Sequence, residues 1–485
     1  MRTSTTLTVS LIALSACSDD SGSTPDDLGL PPDATPGDLG VEEDAASAPE
    51  PWLDDLVVAG VRVPLTPSFA AMTTRYSVIA EETPDDVMVT ATADPALSIT
   101  IDGTDATNGE ALTLDSEPGA EIPIIVSNGE GDSRTYTVLY MPDDFPELEV
   151  TVNEPEAATE PIFVGLRGRS YFLALLNNDG VPLFWQQMPD QIYDFKRHPG
   201  GEYSYCLRTG GEAYSEHVIL DESFEEVERL QTVDLVHTDV HEFHILPDGD
   251  RILMAYEPMV RDLTAFGGGP ADTVEDSVVQ QVTPEGSVVF QWNSWDDLPY
   301  DESLRGSSEY AHVNSVSVTP DGDWLLSARG HSAVVKIDRE TGDELWQLGG
   351  IGGDFTFVDD PFGNLCGQHT AFELAGDRIL LFDNGQACYP DVPARGEHTR
   401  VVEYELDHTA MTATLVWSYD REGAYTRSQG SSQRLANGNT FIGWGRGPDQ
   451  LATEVDSEGN VVFEIEAHDQ DGISISYRAW RFATE

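Results

Sequence analysis

His241, His312 and His369 stand at matching places in three successive stretches of this sequence. Each opens a hydrophobic run that ends in a tight turn: "HEFHILPDGD", "HVNSVSVTPDGD" and "HTAFELAGD". His241 lies six residues before Pro247, His312 eight before Pro320, and His369 six before Ala375. All three offsets are even. Side chains alternate along a strand, so the three imidazoles share one parity relative to their turns. Near neutral pH an imidazole can act as a nucleophile or carry a proton. One histidine at a strand start is ordinarily just a satisfied polar residue. Three in phase suggest a shared site.

Other polar residues fall beside them. Asn314 is two residues after His312 and is expected on the same strand face. Arg329, in "LLSARGHSAVVKID", follows the turn and runs back toward His312, and His331 is expected to share its face. Such a set of His, Asn and Arg suits an anion with several oxygens. Tyr193 takes the equivalent place in an earlier unit, six residues before Pro199, where it could stack on an aryl ring. A metal site is the competing reading of "HTDVHEFH". In a strand, however, His241 and His244 point to opposite faces, and no zinc-module spacing occurs, so no metal is expected.

These residues need a scaffold that brings distant strands together. From about residue 143 a loose unit recurs, in which a hydrophobic run, a turn such as "HPGGEY", "LPDGDRIL", "TPDGDWLL", "LAGDRILL" or "LANGNTFI", and a second run follow one another. The spacing of roughly 50 to 70 residues fits one four-stranded blade with its loops. The expected fold is all-β: a six-bladed β-propeller over 143–485, preceded by a small β-sandwich. The first strand of each blade lines a central channel, so matching positions converge on its axis.

Upstream, residues 53–142 hold short alternating runs, "TRYSVIAE", "DVMVTATAD", "LSITIDG", "EIPIIVSN" and "RTYTVLYM", punctuated by Gly, Asp, Pro and Asn. This is the pattern of a β-sandwich. Residues 18–52 are rich in Pro, Asp, Ser and Gly and cannot bury a core, so they read as a disordered acidic tether. The opening "MRTSTTLTVSLIALSAC" has a basic start, an apolar stretch and small residues before Cys17. It reads as a signal peptide over 1–17, with export implied.

Composition narrows the function classes. With 25 basic against 87 acidic residues the net charge is −62, which excludes a generic nucleic-acid binder. The acidic excess reads as a solvated surface, consistent with salty surroundings. No stretch is long and apolar enough for a membrane-spanning helix.

Cys366 and Cys388 bracket two hydrophobic runs joined at "LAGD". Paired as a hairpin, these runs bring their far ends within bridging range. A Cys366–Cys388 disulfide is therefore expected, with Cys206 free. Closing such a loop contributes roughly 3 kcal/mol in the chain-entropy model.

Several strings carry a resemblance. "LSAC" resembles a bacterial lipobox, which implies lipidation of Cys17 and a periplasmic or cell-surface protein held to the membrane only by that anchor, at the outer membrane if the host has one. The order of segments in 53–142, with Tyr76 and Tyr136, resembles the cadherin-like sandwich of bacterial surface proteins. "HVNSVSVTPDGDWLLSARGHSAVVKIDRETGDELWQLGG", "QHTAFELAGDRILLFDNG", "TRVVEYELD" and "RLANGNTFIGWG" resemble the bacterial arylsulfotransferases. That resemblance implies a periplasmic six-bladed propeller that moves a sulfuryl group from a phenolic sulfate to another phenol. It implies a covalent sulfohistidine and no nucleotide donor or other cofactor. His369 takes the nucleophile's place, His312, Asn314 and Arg329 bind the sulfuryl group, and His241 completes the catalytic set. Partners are then small aryl sulfates and phenols, with a homodimer an open option. The alternative class is a non-catalytic surface propeller that binds a ligand or partner. A quinone-dependent dehydrogenase is disfavoured, because its repeated Trp motif and adjacent cysteine pair are absent.

Overall fold

The structure is a computed structural model. It describes residues 50–83, 86–208, 215–306, 309–386, 388–389, 398–421, 423–447, 449–468 and 476–484. Cys17, the expected leader over 1–17 and nearly all of the acidic tether lie outside the described residues. Strands dominate the rest, and helix is confined to single turns.

Residues 53–141 form two sheets. Leu53–Ala59, Val87–Ala93 and Ala111–Leu114 make the smaller one. Val61–Thr66, Arg75–Ala80, Ser133–Met141, Glu121–Ser127, Ser98–Ile101 and Thr104–Ala106 make the larger, in that spatial order. Period-two alternation drives this arrangement: Val87, Val89, Ala91 and Ala93 are buried while Met88 faces out. The two sheets share one apolar core that includes Tyr76 and Tyr136. Both tyrosines keep their hydroxyls paired, Tyr76 donating to Ala70 O and Tyr136 to Ala71 O, which makes burial of their polar ends affordable.

Six more sheets follow, each built on an antiparallel four-stranded set. Their leading strands are Ala479–Arg481, Gln191–Arg197, Thr238–Ile245, Val313–Val318, His369–Leu374 and Ser431–Arg434. Leading strands of neighbouring sheets touch in this order, and the last returns to the first. The chain closes its own ring, because Ala479–Arg481 pairs with Ile162–Arg167, more than 300 residues earlier. A second closure adds Glu147–Asn153 to the outer edge of the last sheet, beside Val461–His468. The N-terminal sheets rest on this seam. Val63, Ile79, Leu139 and Phe145 pack with Phe172, Phe463 and Ala479 in one cluster, and Arg75 Nε donates to Pro182 O at 3.0 Å.

A buried charge network ties the leading strands together. Lys196 Nζ meets Asp194 at 2.7 Å and also Glu242. Arg478 Nη1 reaches Glu242 at 2.8 Å and Asp194 at 3.2 Å, and its Nη2 donates to Asn314 O at 2.8 Å. Two cations thus balance two carboxylates across three sheets, with all four side chains buried, and the Asn314 carbonyl ties in a fourth. Removing one member leaves an uncompensated charge, whereas burying the whole set is near neutral. Arg478→Met should therefore destabilise the protein by about 3–5 kcal/mol, measurable as a fall in the urea midpoint.

Candidate functional site

The three histidine strands share a local irregularity. Pairing with the next strand slips between Thr238 and Phe243, between Val313 and Ser315, and between His369 and Ala371. Such bulges re-aim side chains at the end of a strand. Three non-glycine residues here also take left-handed backbone: His312 (φ 45°), Thr370 (φ 28°) and Gln429 (φ 72°). That conformation costs of order 1–3 kcal/mol per residue and clusters at functional sites.

His241 and His312 meet edge to face with ring centroids 5.3 Å apart. Tyr256 lies 5.7 Å from the first ring and 5.5 Å from the second. Its hydroxyl donates to Val313 O at 2.8 Å. Asp239 grips His241 twice, accepting from Nδ1 at 2.8 Å and from its backbone N–H at 2.9 Å. Burial alone would raise the Asp239 carboxyl, but His241 and nearby amides hold it below its usual range.

His369 is 1% exposed. Its tautomer follows from its partner. Asn384 Nδ2 donates to Thr426 O at 3.0 Å and to Gln429 O at 2.9 Å, so Asn384 Oδ1 must face the imidazole. An amide oxygen only accepts, so His369 Nδ1 carries the proton and the lone pair sits on Nε2. That Nε2 accepts the Gln429 N–H at 3.0 Å. Burial first, then the Arg329 guanidinium, hold His369 well below the ordinary imidazole range. His312 is lowered likewise by burial, His241 and Arg329. Both are neutral near pH 7, as a nucleophile requires.

The Cys366–Cys388 disulfide is present, and Cys206 is a buried free thiol. The bridge fastens the lead-in of His369 to the segment that supports the site. That segment holds Asn384 and also Gln386, whose Oε1 accepts from Arg329 Nη2 at 2.9 Å. The approach is close: a Cβ at Gly367 (φ 62°) would stand 2.2 Å from Gln386 O. Only glycine fits there.

Asn314 Nδ2 donates to Gln368 O at 2.8 Å, bracing the approach to His369. One expected placement needs correction. His331 does not join Arg329, since the chain from Arg329 to His331 coils into one 3-10 turn. Its Nε2 is bonded to Pro299 O at 2.9 Å, and its ring packs near Tyr310. Tyr193 reaches the site indirectly, through Tyr477, whose ring lies 5.3 Å from Tyr193 and 5.8 Å from His241. Asp239, Tyr256, Asn384, Gln386, Gln429 and Tyr477 were not singled out from the sequence. The one usable signal was "DNGQAC", with two amide side chains of like parity beside a cysteine.

The arrangement is thus three imidazoles and one guanidinium gathered at the heads of three leading strands. A family model described as arylsulfotransferase (ASST) matches residues 214–468, slightly over half of the chain, and spans all of them. The chain belongs to the arylsulfotransferase family. Arylsulfate sulfotransferase AssT of Escherichia coli O6:H1 (strain CFT073) is 25% identical over 179 residues, 31% of this chain and 30% of that protein. The chain thus aligns with less than a third of the length of this curated arylsulfotransferase. Among solved structures, a protein of unknown function from Bacteroides caccae has a TM-score of 0.43 at 15% identity, over 66% of this chain and 98% of that one. A catalytically inactive virginiamycin B lyase from Staphylococcus aureus has a TM-score of 0.35 at 10% identity, over 67% and 88%.

The lowered histidines give a direct test within this member of the arylsulfotransferase family. In an NMR titration, the ring signals of His369 and His312 should not move through about pH 6.5, where a free imidazole changes charge.

Proposed function

We propose that this chain is an aryl-sulfate sulfotransferase, built as a six-bladed β-propeller over 143–485 behind a cadherin-like sandwich over 53–142. The observation that carries the reading is the convergence of His241, His312 and His369, two of them held neutral, beside the buried guanidinium of Arg329. Membership of the arylsulfotransferase family supports it.

In this reading a phenolic sulfate binds with its sulfuryl oxygens toward Arg329 and His312. His369 Nε2, once Gln429 N–H has turned aside, attacks sulfur. The N–S bond forms as the S–O(aryl) bond breaks, and the leaving phenolate takes a proton from His241. Asp239 holds Nδ1–H and steadies the imidazolium, which gives this proton from Nε2 and becomes neutral. Sulfuryl transfer resembles phosphoryl transfer, with negative charge on the equatorial oxygens, so the guanidinium acts where charge resides. Asn384 keeps a proton on Nδ1 throughout, which leaves the sulfated ring cationic and a good leaving group. A second phenol then attacks sulfur, the N–S bond breaks, and the phenol's proton returns to His241.

A second assignment rests on one contact. Nε2 of His369 is closed by Gln429 N–H, whereas His312 Nδ1 is buried without a hydrogen-bond partner among the described residues. His312 is then the nucleophile and His369 a support. Brief mixing with donor alone, followed by peptide mapping, separates the two. The expected label is one sulfuryl group on His369. His369→Asn should abolish transfer, and Arg329→Ala should cost about 10²-fold in kcat by analogy with other charge-stabilising donors. Full transfer by His369→Asn would move the chemistry to His312.

We further propose an exported lipoprotein, anchored through Cys17 at the periplasmic or cell surface. A disulfide between Cys366 and Cys388 suits an oxidising compartment. Mass spectrometry of the membrane fraction should find Cys17 acylated at the mature N-terminus. An unmodified N-terminus downstream of it would refute the anchor.

A further inference from the structure

Beside the site stands a charged group that the mechanism above does not use. The carboxylate of Glu309 lies 3.8 Å from Arg305 Nη1, 4.0 Å from Arg329 Nη1 and 3.9 Å from His312 Nδ1. It stands among three nitrogen-bearing side chains and is hydrogen-bonded to none of them. Several of their nitrogens are unfilled. Arg305 Nε and Nη2, Arg329 Nε and His312 Nδ1 are all buried without a hydrogen-bond partner among the described residues. Buried guanidinium nitrogens in that state are costly unless an anion completes them. Arg305 also bears on its neighbours, since its charge helps to lower both Arg329 and His312.

Arg305 and Arg329 supply two positive charges and Glu309 one negative, so these three neighbouring groups carry a net charge of +1. A sulfate monoester carries one negative charge and matches it. A phosphate monoester, with its second pKa near 6, carries about two at neutral pH and would meet the Glu309 carboxylate with an uncompensated charge. Like charges placed together discriminate between otherwise similar ligands.

We propose that Arg305 is a second anion-binding guanidinium of this site, and that Glu309 is a charge filter that admits monoanionic sulfuryl esters and rejects dianionic phosphoryl esters. The proposal rests on the sulfotransferase reading for the place of the anion, but not on transfer itself.

The test uses two ligands that cannot be transferred, benzylsulfonate and benzylphosphonate, in alkaline buffer where the phosphonate is a dianion. Calorimetry gives both dissociation constants for the unaltered protein and for Glu309→Gln and Arg305→Ala. The unaltered protein should prefer the sulfonate. Glu309→Gln should shift the ratio of the two constants toward the phosphonate by about tenfold, the scale of one rim charge, and Arg305→Ala should weaken both ligands. An unchanged ratio in Glu309→Gln would overturn the filter, and so would equal tightening of both ligands, which would make Glu309 a simple plug. No binding of either ligand to any form would overturn the anion site itself. Transfer activity that is missing while the ratio shifts would leave the filter standing and remove only the sulfotransferase reading.

Discussion

The site depends on a neutral quartet of buried charges. Asp194 and Lys196 come from one leading strand, Glu242 from the next, and Arg478 from the chain's last turn before closure. Arg478 also reaches the backbone of a further leading strand at Asn314. Their attraction is strong because all four side chains are buried, and their cost is tolerable because each charge has two opposite partners. The consequence is positional. The strands of His241 and His312 are fixed to one another from below, so their imidazoles can meet edge to face above.

A second layer of control is exerted by uncharged groups. Asn384 sets the tautomer of His369 without adding charge, and burial together with the Arg329 guanidinium keeps the imidazole neutral. A carboxylate there would favour the imidazolium instead. The disulfide keeps this arrangement in register, since it joins the lead-in of His369 to the segment carrying Asn384 and Gln386. The clamp therefore holds both the hydrogen-bond partner of His369 and that of Arg329.

Much of this was legible in the sequence because it repeats. Turn phrases such as "LPDGD" and "TPDGD" marked the hairpins, and the even offsets of His241, His312 and His369 brought those residues to one place. The hairpin between Cys366 and Cys388 gave the disulfide. What strict alternation could not give was the aim of His331, because the 3-10 turn from Arg329 to His331 breaks the strand's alternation. Tyr477, Gln429 and Arg478 were hidden for a different reason. All three lie outside the repeated phrase: Gln429 meets His369 from the lead-in to the adjoining sheet, and Tyr477 and Arg478 come in through ring closure, which joins residues hundreds of positions apart and leaves no local pattern.

That closure carries a consequence for biogenesis. The strand Ala479–Arg481 seals the ring, and the two residues before it are Tyr477, in the aromatic wall beside His241, and Arg478, the hub of the charge quartet. Sealing the ring and completing the surroundings of His241 are thus one event. The other sheets form from local hairpins and need no such closure. The aromatic wall and the charge hub fall into place together, when residues 477–481 dock against the strand Ile162–Arg167.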